Sequence, residues 1–355
     1  MNRPVPRRRP AAPRRPRARP WWLRLSDEEL LDLRFCDLGL ELDGSRLEPY
    51  IDRLYAELEA RGLSCRPHCW IAAEWFSPDG VPGIAVPFYL LHPRLMRLER
   101  RMMHEVEGGN ANWLMRILRH EAGHAIDTAY RLRRRRAWRE IFGPASLPYP
   151  RSYRPRPGSR RFVQHLGEWY AQSHPTEDFA ETFAVWLRPR SRWRREYAGW
   201  PALAKLACVD RLMTEVRGEP PPVRSRLRIE SLADDRRTLR EHYREKTRRY
   251  RSVGHAAVDA SLQRICGPAG DAAPRVAVLL RSLRRGLHAR AAAATGASGY
   301  EVHQALREVI GRCDELALTV RGRRERAALR LQRLLTRLIS GRHRGTGPRL
   351  PKLPV

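Results

Sequence analysis

The sequence predicts an α+β fold, a small mixed sheet set among helices, followed by a mostly α-helical C-terminal region. Three observations carry that prediction. Two stretches, 69–76 and 83–91, are apolar and rich in β-branched and aromatic residues. Two longer segments, around residues 120 and 180, repeat apolar residues at spacings of three and four. Beyond Pro220-Pro221-Pro222 the helical period continues almost to the end of the chain.

Residues 1–20 are nearly all Arg, Pro and Ala with no acid, the composition of a disordered basic tail. No apolar run follows its arginines, so neither a secretory nor a twin-arginine export signal is expected, and a cytoplasmic location follows as the default. Ser26 stands before Asp27-Glu28-Glu29 as the cap of a short acidic helix. Leu, Ile and Tyr at helical spacing predict a second helix over 47–61. The strands follow, and Pro87 fits the second of them to a sheet edge. Further helices are predicted over 111–130, 176–188 and 201–217, the last stopped by Gly218 and the prolines. That proline run divides a domain at 21–219 from a helical region at 223–342, with helices over 227–250, 256–266, 275–294, 300–318 and 323–340. Residues 343–355 form a flexible basic tail. No stretch reaches the eighteen or so apolar residues of a membrane span.

The helix at 111–130 carries His120-Glu121-Ala122-Gly123-His124, an HExxH pattern. Residues four apart on a helix stack, so His120 and His124 can present both imidazoles to one zinc ion. Glu121, one step round, can act as general base toward a zinc-activated water. A catalytic zinc takes three protein ligands and keeps one position open. The extension HExxHxxGxxH fails, because Asp127 and Tyr130 stand where Gly and His are needed. A glutamate from a second helix remains. In 177–187, Phe179, Phe183, Trp186 and Leu187 form the apolar stripe while Glu177 and Glu181 stack on another face. Glu177 is assigned as the third ligand, with Asp178 as its substitute. Glu181 is assigned to orient a ligand histidine through its other ring nitrogen.

HEAGH followed by Tyr170-x6-Glu177-Asp178-Phe179-Ala180-Glu181 resembles the gluzincin metallopeptidases of the lethal-factor type. It is closer still to a family of bacterial zinc-binding metallopeptidases. The resemblance is close over about 110–187, and no paired CxxC precedes it to build the zinc ribbon of some members. It implies a zincin-like catalytic domain, one zinc per chain and hydrolysis of peptide bonds. By the same resemblance Glu177 is a zinc ligand and Tyr170 supplies the phenol that stabilises the oxyanion. Such enzymes hold a peptide or protein substrate as an added strand, and 83–91 is the candidate edge. The substrate itself is not implied, and amide bonds outside proteins remain open.

The net charge of +30 in 355 residues is almost all arginine, the only lysines being Lys205, Lys246 and Lys352. A coding bias toward arginine accounts for much of it. Arg131, Arg133–Arg136, Arg139, Arg151, Arg154, Arg156, Arg160 and Arg161 concentrate between the two half-sites, offset by Glu140. This 131–161 segment is either a solvated loop or a basic lip for an acidic substrate or polyanion. The second function class is accordingly a polyanion- or nucleic-acid-binding protein with a structural or vestigial zinc site. The C-terminal helices lack the aromatic interleaving of single-strand binders and any helix-turn-helix pattern, and read as a cap or scaffold. Asp127 could support the metal site or lie on the helix surface. His174 reads as a loop histidine before Pro175, and His92, His104 and His165 as ordinary histidines. The six scattered cysteines read as reduced thiols. The oligomeric state is not legible.

Overall fold

The computed structural model describes residues 19–344, apart from 104–105, 151–152, 154–155, 157, 167–168, 252–255, 269–272 and 296–298. The N-terminal tail to residue 18, the tail from 345, His104, Arg151 and Arg154 therefore lie outside the described residues. In chain order the elements are α1 (Asp27–Leu31), α2 (Glu48–Ala60), β1 (His68–Ala72), β2 (Gly83–Pro87), α3 (Pro93–Met103) and α4 (Ala111–Tyr130). Then come α5 (Arg136–Phe142), α6 (Pro175–Leu187), α7 (Trp193–Glu196), α8 (Ala202–Glu215) and α9 (Leu239–Arg251). The chain continues through α10 (Ala256–Ile265), α11 (Val276–Ser282), α12 (Arg284–Thr295), α13 (Gly299–Glu315) and α14 (Arg324–Arg344). Most of the described residues are helical, and the two strands form a parallel pair, consistent with an α+β class. No helix among them is long and apolar enough to cross a membrane.

Local chemistry explains the element ends. Ser26 and Glu29 form a reciprocal capping box at α1. Asn110 caps α4 by accepting from the Trp113 amide at 3.0 Å. α4 stops where Arg131 turns left-handed, at φ 53°. His174 caps α6, with Pro175 in the first turn, where its missing N–H leaves no bond unmade.

The strands are shorter than their sequence patterns. β2 ends at Pro87 and 88–91 winds into a 3-10 turn. β1 pairs with β2 from His68↔Gly83 to Ala72↔Pro87. On the side away from β1, the Ala85 amide donates to the Phe76 carbonyl at 2.9 Å in an antiparallel bridge. β2 is buried along its whole length. Its edge away from β1 is therefore taken at Ala85 by the segment around Phe76, the outer element of the sheet there.

Among the described residues there are two large hydrophobic cores and one small cluster of Trp70, Ala72 and Ala85 in the sheet. The first core gathers Trp22, Phe35, Phe88, Leu118, Ile126, Trp138, Phe179, Phe183 and Leu206, and takes in Leu232, Leu239 and Tyr243 from beyond the three prolines. The other is made by α10–α14, from Val258 to Ile339. The expected helix over 227–250 begins only at Leu239. The amides of Leu232, Phe35, Cys36 and Leu239 bond to Ile71, Arg237, Asp235 and Leu33 respectively, so this stretch spends its backbone groups on the N-terminal region and β1. Three helices fall where none was predicted: α3, α5 within the basic segment, and the one-turn α7. All six cysteines are free thiols.

Candidate metal centre

Helices α4 and α6 pack against each other in the first core, and Gly123 sets how closely they approach. A Cβ at Gly123 would stand 2.8 Å from Ala180 Cα, inside ordinary contact. The glycine of HEAGH thus lets the second helix lie against the first, one turn from Glu177.

At that crossing His120 Nε2, His124 Nε2 and Glu177 Oε2 form a triangle with edges of 3.0, 3.1 and 3.1 Å. All three residues are buried, His120 at 2% exposure and Glu177 at 4%. They are the one group among the described residues with His, Cys, Asp or Glu atoms placed to hold a metal ion. Ligand atoms about 2.0–2.1 Å from one zinc at tetrahedral angles lie about 3.3–3.4 Å apart. The triangle is that figure drawn in by a few tenths of an ångström, so the donor set fits the ion.

Proton bookkeeping supports the same use. Glu181, 1% exposed, accepts from His120 Nδ1 at 2.9 Å, and its other oxygen accepts from the Leu166 amide at 2.8 Å. With Nδ1 bound to Glu181, Nε2 is the ring atom left to face His124 and Glu177. Burial disfavours charge on Glu177, yet His124 and His120 hold its carboxyl well below the usual range. Burial likewise opposes charge on His120, while Glu177 and Glu181 raise it well above an ordinary imidazole. Two buried carboxylates thus make this a place that stabilises positive charge.

Around the triangle, Glu121 is buried and accepts from Ser77 Oγ at 2.8 Å. Ser77 lies just after Phe76, on the outer element of the sheet, which therefore runs beside Glu121. The Tyr170 ring lies 5.6 Å from that of His120, and no hydrogen bond of its hydroxyl occurs among the described residues. Burial first, then the charges of Glu177 and Glu121, push its phenol well above the ordinary range, so it stays protonated. Tyr149 donates to Glu177 Oε1 at 2.9 Å.

Other sequence candidates lie elsewhere. Asp178 pairs with Lys205 rather than joining the triangle; burial pushes it up to about 7 against the pull of that lysine. Asp127 is fully buried and accepts from the Arg133 amide and Nε at 2.7 and 2.6 Å, while Arg133 also reaches Asp79. His174 is the α6 cap. His165 meets the Arg116 carbonyl at 2.9 Å, and His92 accepts from the Arg94 amide. Within the basic segment, Arg135 pairs with Glu215 and Arg136 with Glu140. Ser77 and Tyr149 were missed because both lie on irregular segments, where no periodicity places a side chain.

Residues 98–193, which contain both helices of the triangle, match a family model described as "Putative zinc-binding metallo-peptidase". No match was found among curated proteins or among solved structures.

Proposed function

We propose that this chain is a zinc-dependent metallopeptidase that hydrolyses peptide bonds, with a zincin-like catalytic domain and one zinc held by His120, His124 and Glu177. One observation carries the reading. Three donor atoms from two helices stand 3.0–3.1 Å apart, and a buried carboxylate, Glu121, sits on the residue after the first of them. The family match over 98–193 supports it. When bound, zinc supplies Lewis acidity toward a scissile carbonyl and makes water a stronger acid.

The chain's own groups supply the rest. Glu121 takes the proton of the attacking water and delivers it to the leaving amine. Ser77 Oγ, hydrogen-bonded to Glu121, holds that carboxylate in one orientation. The protonated Tyr170 hydroxyl donates to the oxyanion developing on the scissile carbonyl. Glu181 fixes the tautomer of His120. The segment around Phe76 and Ser77, outermost in the sheet and beside Glu121, is the edge on which an extended peptide lies. We assign catalysis to 21–219 and a cap or scaffold role to the C-terminal helices.

The test is zinc content of the wild type, His124→Ala and Glu177→Ala, purified without added metal, followed by cleavage of a peptide library by Glu121→Gln. The expected result is about one zinc in the wild type and little in either ligand variant. Glu121→Gln keeps its zinc and loses cleavage by about 100-fold or more. A wild type that takes up no zinc when it is offered refutes the proposal.

A further inference from the structure

The 147–149 stretch lies in the segment between the half-sites and makes four contacts with the start of α6 that no role assigned above uses. The Leu147 carbonyl lies 3.0 Å from His174 Nε2. The Tyr149 ring stacks on the His174 ring, with centroids 3.9 Å apart and planes 18° off parallel. The Tyr149 hydroxyl contacts Thr176 Oγ1 and Glu177 Oε1.

The protons in this cluster can be placed. A carbonyl only accepts, so His174 Nε2 carries the ring proton and Nδ1 accepts. Nδ1 takes the Thr176 amide at 3.2 Å and faces the Thr176 hydroxyl at 2.7 Å, which therefore donates to it. The Thr176 oxygen is then left as an acceptor, and so is the Glu177 carboxylate. The single Tyr149 proton points at both. Its backbone is stiff as well, since Pro148 and Pro150 flank it and the residue before a proline is confined to extended conformations. Tyr149 is 51% exposed overall, yet its hydroxyl is tied down at the metal triangle.

We propose that Tyr149 is a positioning residue for the metal ligand. By holding Glu177 Oε1, it fixes the carboxylate so that Oε2 alone faces His120 and His124. This rests on the zinc reading of the triangle. Without the phenol, Glu177 is free to turn about its terminal bond, to miss the ion or to engage it with both oxygens. The Phe side chain keeps the stack on His174 and removes only the hydroxyl, with its contacts to Thr176 and Glu177.

The test compares wild type, Tyr149→Phe and Tyr170→Phe as full chains, by zinc competition against a chelator, by visible spectra of the cobalt(II) forms and by thermal unfolding of the metal-free forms. Tyr149→Phe is expected to bind zinc about 10–100-fold more weakly, the range for loss of a group that orients a ligand. Its cobalt bands should lose intensity as Glu177 becomes bidentate, while its metal-free unfolding matches the wild type. Tyr170→Phe should bind zinc like the wild type. Equal zinc affinity and equal cobalt spectra in Tyr149→Phe and wild type overturn the proposal while leaving the zinc site standing. Failure of the wild type to bind zinc at all overturns the site itself, and the proposal with it.

Discussion

Replacing Gly123 with alanine isolates the helix crossing on which the proposed metal centre depends. In an open helix, Gly→Ala stabilises by about 0.5–1 kcal/mol, because glycine loses more backbone freedom on folding. Gly311 in α13 is such a place, with nothing within 4 Å of an added Cβ. At Gly123 the added Cβ would meet Ala180 Cα at 2.8 Å, its carbonyl oxygen at 3.2 Å and its Cβ at 3.3 Å. The first two are backbone atoms and cannot rotate away. Restoring contacts of about 3.5–4.0 Å requires α4 and α6 to part by about 1 Å. Overpacking of this kind costs about 1–3 kcal/mol, enough to outweigh the helix gain. The separation also pulls Glu177 from the histidines, and a centre of this sort tolerates about 0.5 Å. Urea unfolding of metal-free protein should give opposite signs for Gly123→Ala and Gly311→Ala. Chelator competition should show zinc binding weakened at least 10-fold in the first variant only. If both variants are stabilised and zinc affinity is unchanged in both, the crossing does not set the site.

Glu181→Ala should weaken zinc binding about 10–100-fold, and Glu181→Gln less, because its amide oxygen can still accept from His120; chelator competition measures both. Ser77→Ala should keep the full zinc content and lower peptide cleavage about 10-fold, since it frees Glu121 to turn; turnover beside metal analysis checks it. His165 is buried against a backbone carbonyl, and burial lowers it to about 4 from 6.5. Between those values the unfolded chain binds a proton that the folded one refuses, so stability falls as pH drops from about 6.5 toward 4. The loss is on the order of 2–3 kcal/mol, and urea titrations should show a flatter pH dependence in His165→Gln. Arg119, the residue before the first histidine, makes two hydrogen bonds of 2.6 and 2.7 Å to Glu57, both residues buried. Glu57 also accepts from Arg53 Nε at 3.1 Å, so Arg119→Met should cost about 1–3 kcal/mol by leaving that carboxylate only the exposed Arg53, and adding Glu57→Leu should recover part of the loss in the same unfolding assay.

What could be read in advance was what periodicity governs. The spacing of His120 and His124 fixes them on one face of one helix, and Glu177 and Glu181 are related in the same way, so the residues that meet at the triangle share regular elements. Ser77 and Tyr149 reach it from irregular backbone, and only the Pro148-Tyr149-Pro150 sequence hinted that this segment was rigid. The 227–238 stretch misled for a different reason. Its Ile229 and Leu232 stand three apart and Leu239 follows seven further on, as on one helix face, yet its backbone bonds go to the N-terminal region and β1, and those contacts outweigh local preference. Gly123 was legible as part of a motif, whereas its role at Ala180 depended on which helix would lie against it.

The packing of α4 on α6 has a consequence for metal exchange. His124 and Glu177 are 53 residues apart in sequence, and bringing the ends of a flexible loop that long together costs about 3.5 kcal/mol of entropy. Here apolar side chains such as Ala122, Ile126, Phe179 and Phe183 close the loop, because they belong to one hydrophobic core. A zinc ion bound as proposed should therefore meet donors that this packing has assembled, rather than recruit them from a disordered chain. Removing it with a chelator should leave the fold standing and the site ready to refill, unlike small zinc domains that unfold when stripped.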